Sequence, residues 1–212
     1  MNIGDTVSLF NDSGCEWPSD ITAIDRNSVS VMPAEPLSKD PSSPLAIHLG
    51  IAISRGDRMD TVVQKATELG VAAITPIFST RTEVKLKGDR EAKKLKHWRQ
   101  VVISACEQCG RNRLPILHSP RPLGEWLSSV DAEVRYVLHH RGEPQRMPEE
   151  TPRSAALLIG PEGGLTDEEI EAAIECGFTA MTIGPRVLRT ETAPLAAIAI
   201  LQARWGDMNP AG

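Results

Sequence analysis

Two stretches of this chain bring together residue types able to hold a ligand and act on it. The first reads Leu158-Ile159-Gly160-Pro161-Glu162-Gly163-Gly164-Leu165-Thr166. Its three glycines allow positive φ and let backbone approach a ligand closely. No Lys-Ser/Thr pair follows, so it is not a phosphate-binding P-loop, and the G-x-G-x-x-G spacing of a dinucleotide fingerprint is absent. What remains is a ligand read by backbone groups, or a plain tight turn. The second reads Thr182-Ile183-Gly184-Pro185-Arg186-Val187-Leu188-Arg189-Thr190-Glu191-Thr192-Ala193-Pro194. A carboxylate and hydroxyls at a helix start serve capping. The two arginines beside them exceed what capping needs.

A third feature is charge. The 212 residues carry a net charge of −5, yet the segment 81–113 holds ten Lys or Arg against four acids, +6 in all. A local field of this kind attracts phosphate while the rest stays acidic. Arg81, Lys85, Lys87, Arg111 and Arg113 are its candidate RNA contacts. Cys106 and Cys109 form a CxxC late in an expected helix, with no second pair or histidine partners, and the five histidines show no ligand spacing. No metal site is expected.

The elements that position these residues follow from periodicity. Residues 6–10, 21–24 and 28–32 read as strands separated by turn residues, a thin β unit. Residues 33–44, with four prolines, read as a linker. From there strand and helix signals alternate: a strand over 45–53, a helix capped by Asp57 and ended by Gly70, and a strand over 71–78 broken near Pro76. A long helix over 89–109 follows, with Leu95, Trp98, Val102, Ala105 and Cys109 on one face. Next come a short helix over 123–130 and strands over 134–138 and 155–159. A helix then runs from a Thr166–Glu169 capping box to Gly177, followed by a strand over 181–183 and an alanine-rich helix over 192–205. Alternation of this kind predicts an α/β fold, a mostly parallel sheet flanked by helices. Ligands of such sheets bind beyond the C-terminal ends of the strands, where both glycine loops fall.

Composition bounds the rest. Apolar residues at 41% and charged residues at 24% exclude a disordered chain, and 4% aromatics exclude a single-stranded nucleic-acid binder built on stacked rings. No signal peptide or transmembrane run is legible, so a cytoplasmic protein is expected.

The pair IGPEGGLTDEEI and IGPRVLRTETAPLAAI resembles the RsmE family of ribosomal RNA methyltransferases, in the knotted SPOUT class. Residues 54–60, 64–70 and 105–113 add to the likeness, which covers residues 45–207. The resemblance implies methylation of N3 of uridine 1498 in 16S rRNA of the small ribosomal subunit, with S-adenosylmethionine as cofactor. It implies a SPOUT methyltransferase domain over residues 41–212, with a C-terminal deep trefoil knot that binds the cofactor and forms a homodimer. By position the cofactor loops would be Leu138, His139 and His140; Gly160, Pro161, Glu162, Gly163 and Gly164; and Ile183, Gly184, Pro185, Val187 and Leu188, with Thr192 at the helix start. Residues 1–40 would be a partial PUA-like β domain and linker for RNA docking. On that resemblance the chain would begin roughly two dozen or more residues late for a whole barrel of that kind. For the chemistry, Arg189 and then Arg186 suit charge developing on the uracil carbonyls, and Glu191 suits orienting an arginine or accepting the N3 proton. Glu162 suits the sulfonium or ribose. Another knotted methyltransferase acting on tRNA, or an inactive RNA-binding ribosome-assembly factor, would use many of the same residues.

Overall fold

The computed structural model describes residues 1–38, 42–84, 86–139 and 147–208. The chain forms two units, Met1–Ser42 with Cys106–Leu114, and Ser43–Ala105 with Pro115–Gly212. A downstream piece of chain, Cys106–Leu114, thus joins the first unit.

In the first unit, β1 (Thr6–Phe10), β2 (Cys15–Ile24), β3 (Val29–Pro33) and β4 (Leu37–Ser38) form an antiparallel sheet, with β2 pairing all three others. β2 starts earlier than the alternation indicates. Its first half, Cys-Glu-Trp-Pro-Ser-Asp, is polar and carries a proline, and the ladder to β1 holds it extended. Leu37 and Ser38 pair with Glu16 and Cys15, so the expected linker contributes a strand. The β1–β2 turn fastens residues 106–114, since the Leu114 N–H donates to the Asp12 carboxylate at 2.7 Å. The Arg113 guanidinium lies over Gly14, where a Cβ would come within 2.6 Å of it.

The second unit follows in chain order: β5 (Ala46–Ala52), α1 (Arg58–Glu68), β6 (Ala73–Phe78) and α2 (Asp89–Cys109), whose last turn belongs to the first unit. Then come β7 (Ile116–Leu117), β8 (Arg121–Pro122), α3 (Leu123–Ser129), β9 (Val134–Leu138), β10 (Ser154–Ile159), α4 (Asp167–Glu175), β11 (Thr179–Met181) and α5 (Ala193–Trp205). The seven strands run β11-β9-β10-β5-β6-β7, with β8 also on β6, and every pairing is parallel. The α/β expectation is met.

Burial explains this order. Leu49, Ile51, Leu157 and Leu158 on the two central strands are fully buried, each worth roughly 1.5–3 kcal/mol of transfer free energy. One face of the sheet packs Ile77, Val137, Ala156 and Leu158 against Leu123, Trp126 and Leu127 of α3 and Ala173 of α4. Gly50 makes this possible, because a Cβ there would come 2.6 Å from the Trp126 ring. Elsewhere in the unit α1 packs beside α5, where Gln202 donates to the Leu69 carbonyl at 3.0 Å.

Several local expectations change. Asp57 precedes α1 but makes no side-chain cap; its carbonyl accepts from the Thr61 N–H and hydroxyl instead. Pro76 does not break β6. The Ile74 and Ile77 carbonyls face opposite neighbours, so residue 76 faces the outer side, in the gap between β7 and β8, where no N–H is required. β11 ends at Met181, because Thr182 turns its hydroxyl to the His139 carbonyl. On α2 the buried stripe turns to Cys106 and leaves Cys109 exposed. Burial pushes the Cys106 thiol up to about 11, so it is no thiolate nucleophile at neutral pH.

Candidate functional site

Strand order reverses at β5 and β10: from β5 the chain moves outward through β6 to β7 and β8, then returns by β9 to β10 beside β5. Crevices open at such switch points. Here a cavity of about 430 Å³ lies among the segments that follow β9, β10 and β11. Leu138 and His139, Gly160 to Gly164, and Ile183, Gly184, Val187 and Leu188 line it. Three loops distant in sequence thus meet at one hollow. Pro185 and Thr192, also expected there, are exposed and do not line it, and His140 lies outside the described residues.

The loop after β10 is braced from several directions. Gly160 sits so close to the returning chain that a Cβ would meet the Leu165 nitrogen at 2.8 Å. Gly164 holds φ at 68°, a conformation a side chain would strain. Arg81 donates to the Gly163 carbonyl at 2.8 Å and to the Leu165 carbonyl at 3.2 Å. Thr166 and Glu169 form the expected capping box on α4, and Glu169 also accepts from the Thr80 N–H at 2.7 Å. Glu162 accepts from the Arg58 guanidinium at 2.8 Å and from the Arg55 N–H at 3.3 Å. Burial pushes the Glu162 carboxyl up, but its own backbone N–H, Arg58 and Arg55 outweigh that and hold it below the usual 4.5. Glu162 is an anion at neutral pH.

The loop after β11 is different. Gly184 holds φ at 83°, and Arg186, Val187 and Arg189 are exposed. Arg186 lines the cavity, whereas Arg189 does not. The Arg189 carbonyl accepts the Thr192 and Ala193 N–H groups at 2.9 Å each, which makes the turn into α5. Thr192 gives α5 no side-chain cap, and Pro194 falls in the first turn. Glu191 points to a second, shallower hollow of about 560 Å³ lined also by Arg55, Arg58 and Thr61, and lies 3.8 Å from the Arg58 guanidinium.

Of the residues singled out for RNA, Arg81 and Lys87 belong to the unit with the cavity, and Arg81 is committed to the glycine loop. Arg111 and Arg113 belong to the other unit, and Lys85 lies outside the described residues. Arg58 and Asp167 carried no expected role. Asp167 lines the cavity as the first residue of α4, and Arg58 opens α1. The signal for Arg58 was present in Ser54-Arg55-Gly56-Asp57-Arg58, but nothing in spacing joins it to acids over a hundred residues away. Among the described residues no cluster of three or more metal-binding side chains occurs, and no helix is long and apolar enough to cross a membrane.

Known proteins share this architecture. Residues 41–202 match the RNA methyltransferase domain family. The ribosomal RNA small subunit methyltransferase E of Buchnera aphidicola (subsp. Schizaphis graminum) is 38% identical, over 99% of this chain and 86% of its own. That of Bacillus subtilis is 31% identical, over 95% and 82%. The Neisseria gonorrhoeae ribosomal RNA small subunit methyltransferase E, crystallised with S-adenosylmethionine, superposes with a TM-score of 0.91 at 38% identity, over 99% of this chain and 87% of that one. A Legionella pneumophila structure in complex with the same cofactor gives 0.93 at 42%, over 98% and 86%. With matches of this extent joined to the three-loop cavity, the chain belongs to the ribosomal RNA small subunit methyltransferase E family.

Proposed function

We propose that this chain transfers a methyl group from S-adenosylmethionine to N3 of uridine 1498 in 16S rRNA of the small ribosomal subunit. The observation that carries the proposal is the cavity after β9, β10 and β11, together with family members crystallised with that cofactor.

The residues present fit the cofactor. Leu138, Ile159, Leu165 and Ile183 offer an apolar wall for an adenine ring, and Glu162 and Asp167 offer carboxylates to an ammonium, a sulfonium or ribose hydroxyls. A volume of about 430 Å³ is in the range of small-molecule sites. Bound there, S-adenosylmethionine supplies an electrophilic methyl on a positive sulfur. The chain's own residues then have three tasks. The braced loop fixes the methyl in line with the attacking nitrogen, which removes several kcal/mol of orientational cost. Glu191 takes the proton from N3 as the nitrogen forms its bond to the methyl carbon. Arg189, with Arg186, stabilises the charge that develops on the uracil carbonyl oxygens. Atoms balance: the carbon–sulfur bond breaks, the carbon–nitrogen bond forms, and the N3 proton goes to the carboxylate.

The same reading makes residues 41–212 a knotted SPOUT domain that dimerises and residues 1–40 part of a PUA-like RNA-docking unit, in a cytoplasmic enzyme. The convergence of three loops on one cavity supports the first assignment. The antiparallel β sheet with Arg111 and Arg113 in its unit supports the second. Lys87, Arg111 and Arg113 then hold RNA phosphates, which positions the substrate without specifying its sequence.

The test is to incubate the purified chain with radiolabelled S-adenosylmethionine and small subunits lacking the modification, then map the label. Label on N3 of that uridine is expected. No label, or label on another nucleotide, overturns the assignment.

A further inference from the structure

Arg58 occupies a place that nothing above explains. It is the first residue of α1, delivered by the short turn that leaves the central strand β5. Thr61 fixes that turn by donating its N–H and its hydroxyl to the Asp57 carbonyl. From this base one guanidinium reaches acids on two different loops. Its Nη1 donates to Glu162 at 2.8 Å, and its Nε lies 3.8 Å from Glu191. Glu162 lines the cavity where the three loops meet, whereas Glu191 lines the shallower hollow alongside Arg58 itself. Arg55 does not duplicate the contact. Its guanidinium pairs with Glu83, and only its backbone N–H meets Glu162.

Stability does not account for the clasp. Arg58 and Glu162 side chains are 45% and 38% exposed, and ion pairs this wet contribute little to folding. What the arrangement supplies is geometry. A planar guanidinium presents donors in fixed directions and so can engage two carboxylates at once, whereas an ammonium is a point charge.

We infer that Arg58 is a positioning residue: it ties the carboxylate of the glycine loop to that of the loop entering α5, so that Glu191 is held in register with the bound cofactor. The inference rests on the methyl-transfer reading for the role of Glu191. Its cofactor half rests only on Glu162. A displacement of the order of an ångström between reacting groups can cost about 100-fold in rate.

The experiment uses the full chain as wild type, Arg58→Lys, Arg58→Ala, Glu162→Gln, Glu191→Gln and the Arg58→Ala/Glu162→Gln double variant. Two quantities are read: the dissociation constant for S-adenosylmethionine, and the single-turnover methyl-transfer rate on unmodified small subunits at saturating cofactor. Arg58→Lys keeps one contact, so its cofactor affinity should stay within about 3-fold of wild type while its rate falls about 100-fold. Arg58→Ala should weaken cofactor binding about 10-fold, and the double variant should bind no more weakly than Arg58→Ala alone. A wild-type rate in Arg58→Lys or Glu191→Gln overturns the inference, as do additive losses in the double variant. If wild type itself transfers no methyl, the functional reading fails. The binding arm then still decides whether Arg58 acts through Glu162.

Discussion

The loop from Gly160 to Thr166 and the loop from Thr182 to Thr192 both follow a parallel strand, both open on Gly-Pro, and both lead into a helix. They are held in different ways. The first is bound by side chains from three other segments: Arg81 on two of its carbonyls, Arg58 on Glu162, and the capping box with Thr80 at its far end. The second closes on itself through the Arg189 carbonyl, and its side-chain ties to other segments include Thr182, which donates to the His139 carbonyl, and Glu191, 3.8 Å from the Arg58 guanidinium. Among the described residues its two arginines make no hydrogen bond or ion pair through their side chains. Braced backbone suits a small molecule that must be held in one pose. Uncommitted arginines suit an anionic partner that arrives later. The contrast assigns binding to the first loop and action on the nucleic acid to the second.

Breaking the second loop should give the largest effect. Arg189→Ala should lower the methyl-transfer rate at saturating cofactor about 100-fold or more, as expected for loss of a donor to developing charge, while cofactor affinity moves less than about 3-fold. Calorimetry beside single-turnover kinetics reads both. Breaking the first loop should give the opposite pattern. Arg81→Ala frees two carbonyls at the glycine turn, and cofactor affinity should fall about 10-fold.

These two arginines also mark where the sequence was legible. The parallel α/β fold and the capping box on α4 follow from period and turn residues, whereas the meeting of the two glycine loops with Leu138 and His139 follows from the family resemblance. Local signals carry the strands and the helix start: alternation on β5, an apolar run on β10, and Thr166 three residues before Glu169. The misses have a common cause. Arg81 sits in a basic run and reads as an RNA contact, and only the fold brings it to Gly163. Arg58 meets its acids for the same reason. Pro76 reads as a breaker because a sequence cannot show that its outer neighbour is interrupted there. Residues 106–109 read as the end of a helix, and Arg111 and Arg113 as RNA contacts, yet the Leu114 N–H donates to Asp12 and joins this stretch to the small sheet. Each depends on a partner far along the chain.

Smaller effects sharpen the comparison. Thr166→Ala removes half of the capping box and should cost about 1 kcal/mol of stability, read by urea unfolding. Changing Thr192, which caps nothing with its side chain, should cost less than half of that. The smallest effect is in pH. Because Glu162 titrates below 4.5 in the folded chain, its clasp is intact above that pH and is lost as pH falls below it. The melting-temperature difference between wild type and Glu162→Gln should therefore be constant from neutral pH down to about 4.5 and close at lower pH. A difference that begins to close near pH 6 would mean the carboxylate is not held as described.

The division between the loops is tested most directly by one paired measurement on Arg189→Ala and Arg81→Ala: cofactor dissociation constant against single-turnover rate at saturating cofactor. The account predicts a crossed result, with Arg189→Ala binding normally and transferring slowly, and Arg81→Ala binding weakly and transferring near the wild-type rate once saturated. Parallel losses of binding and rate in both variants would contradict it, because the two loops would then act as a single unit.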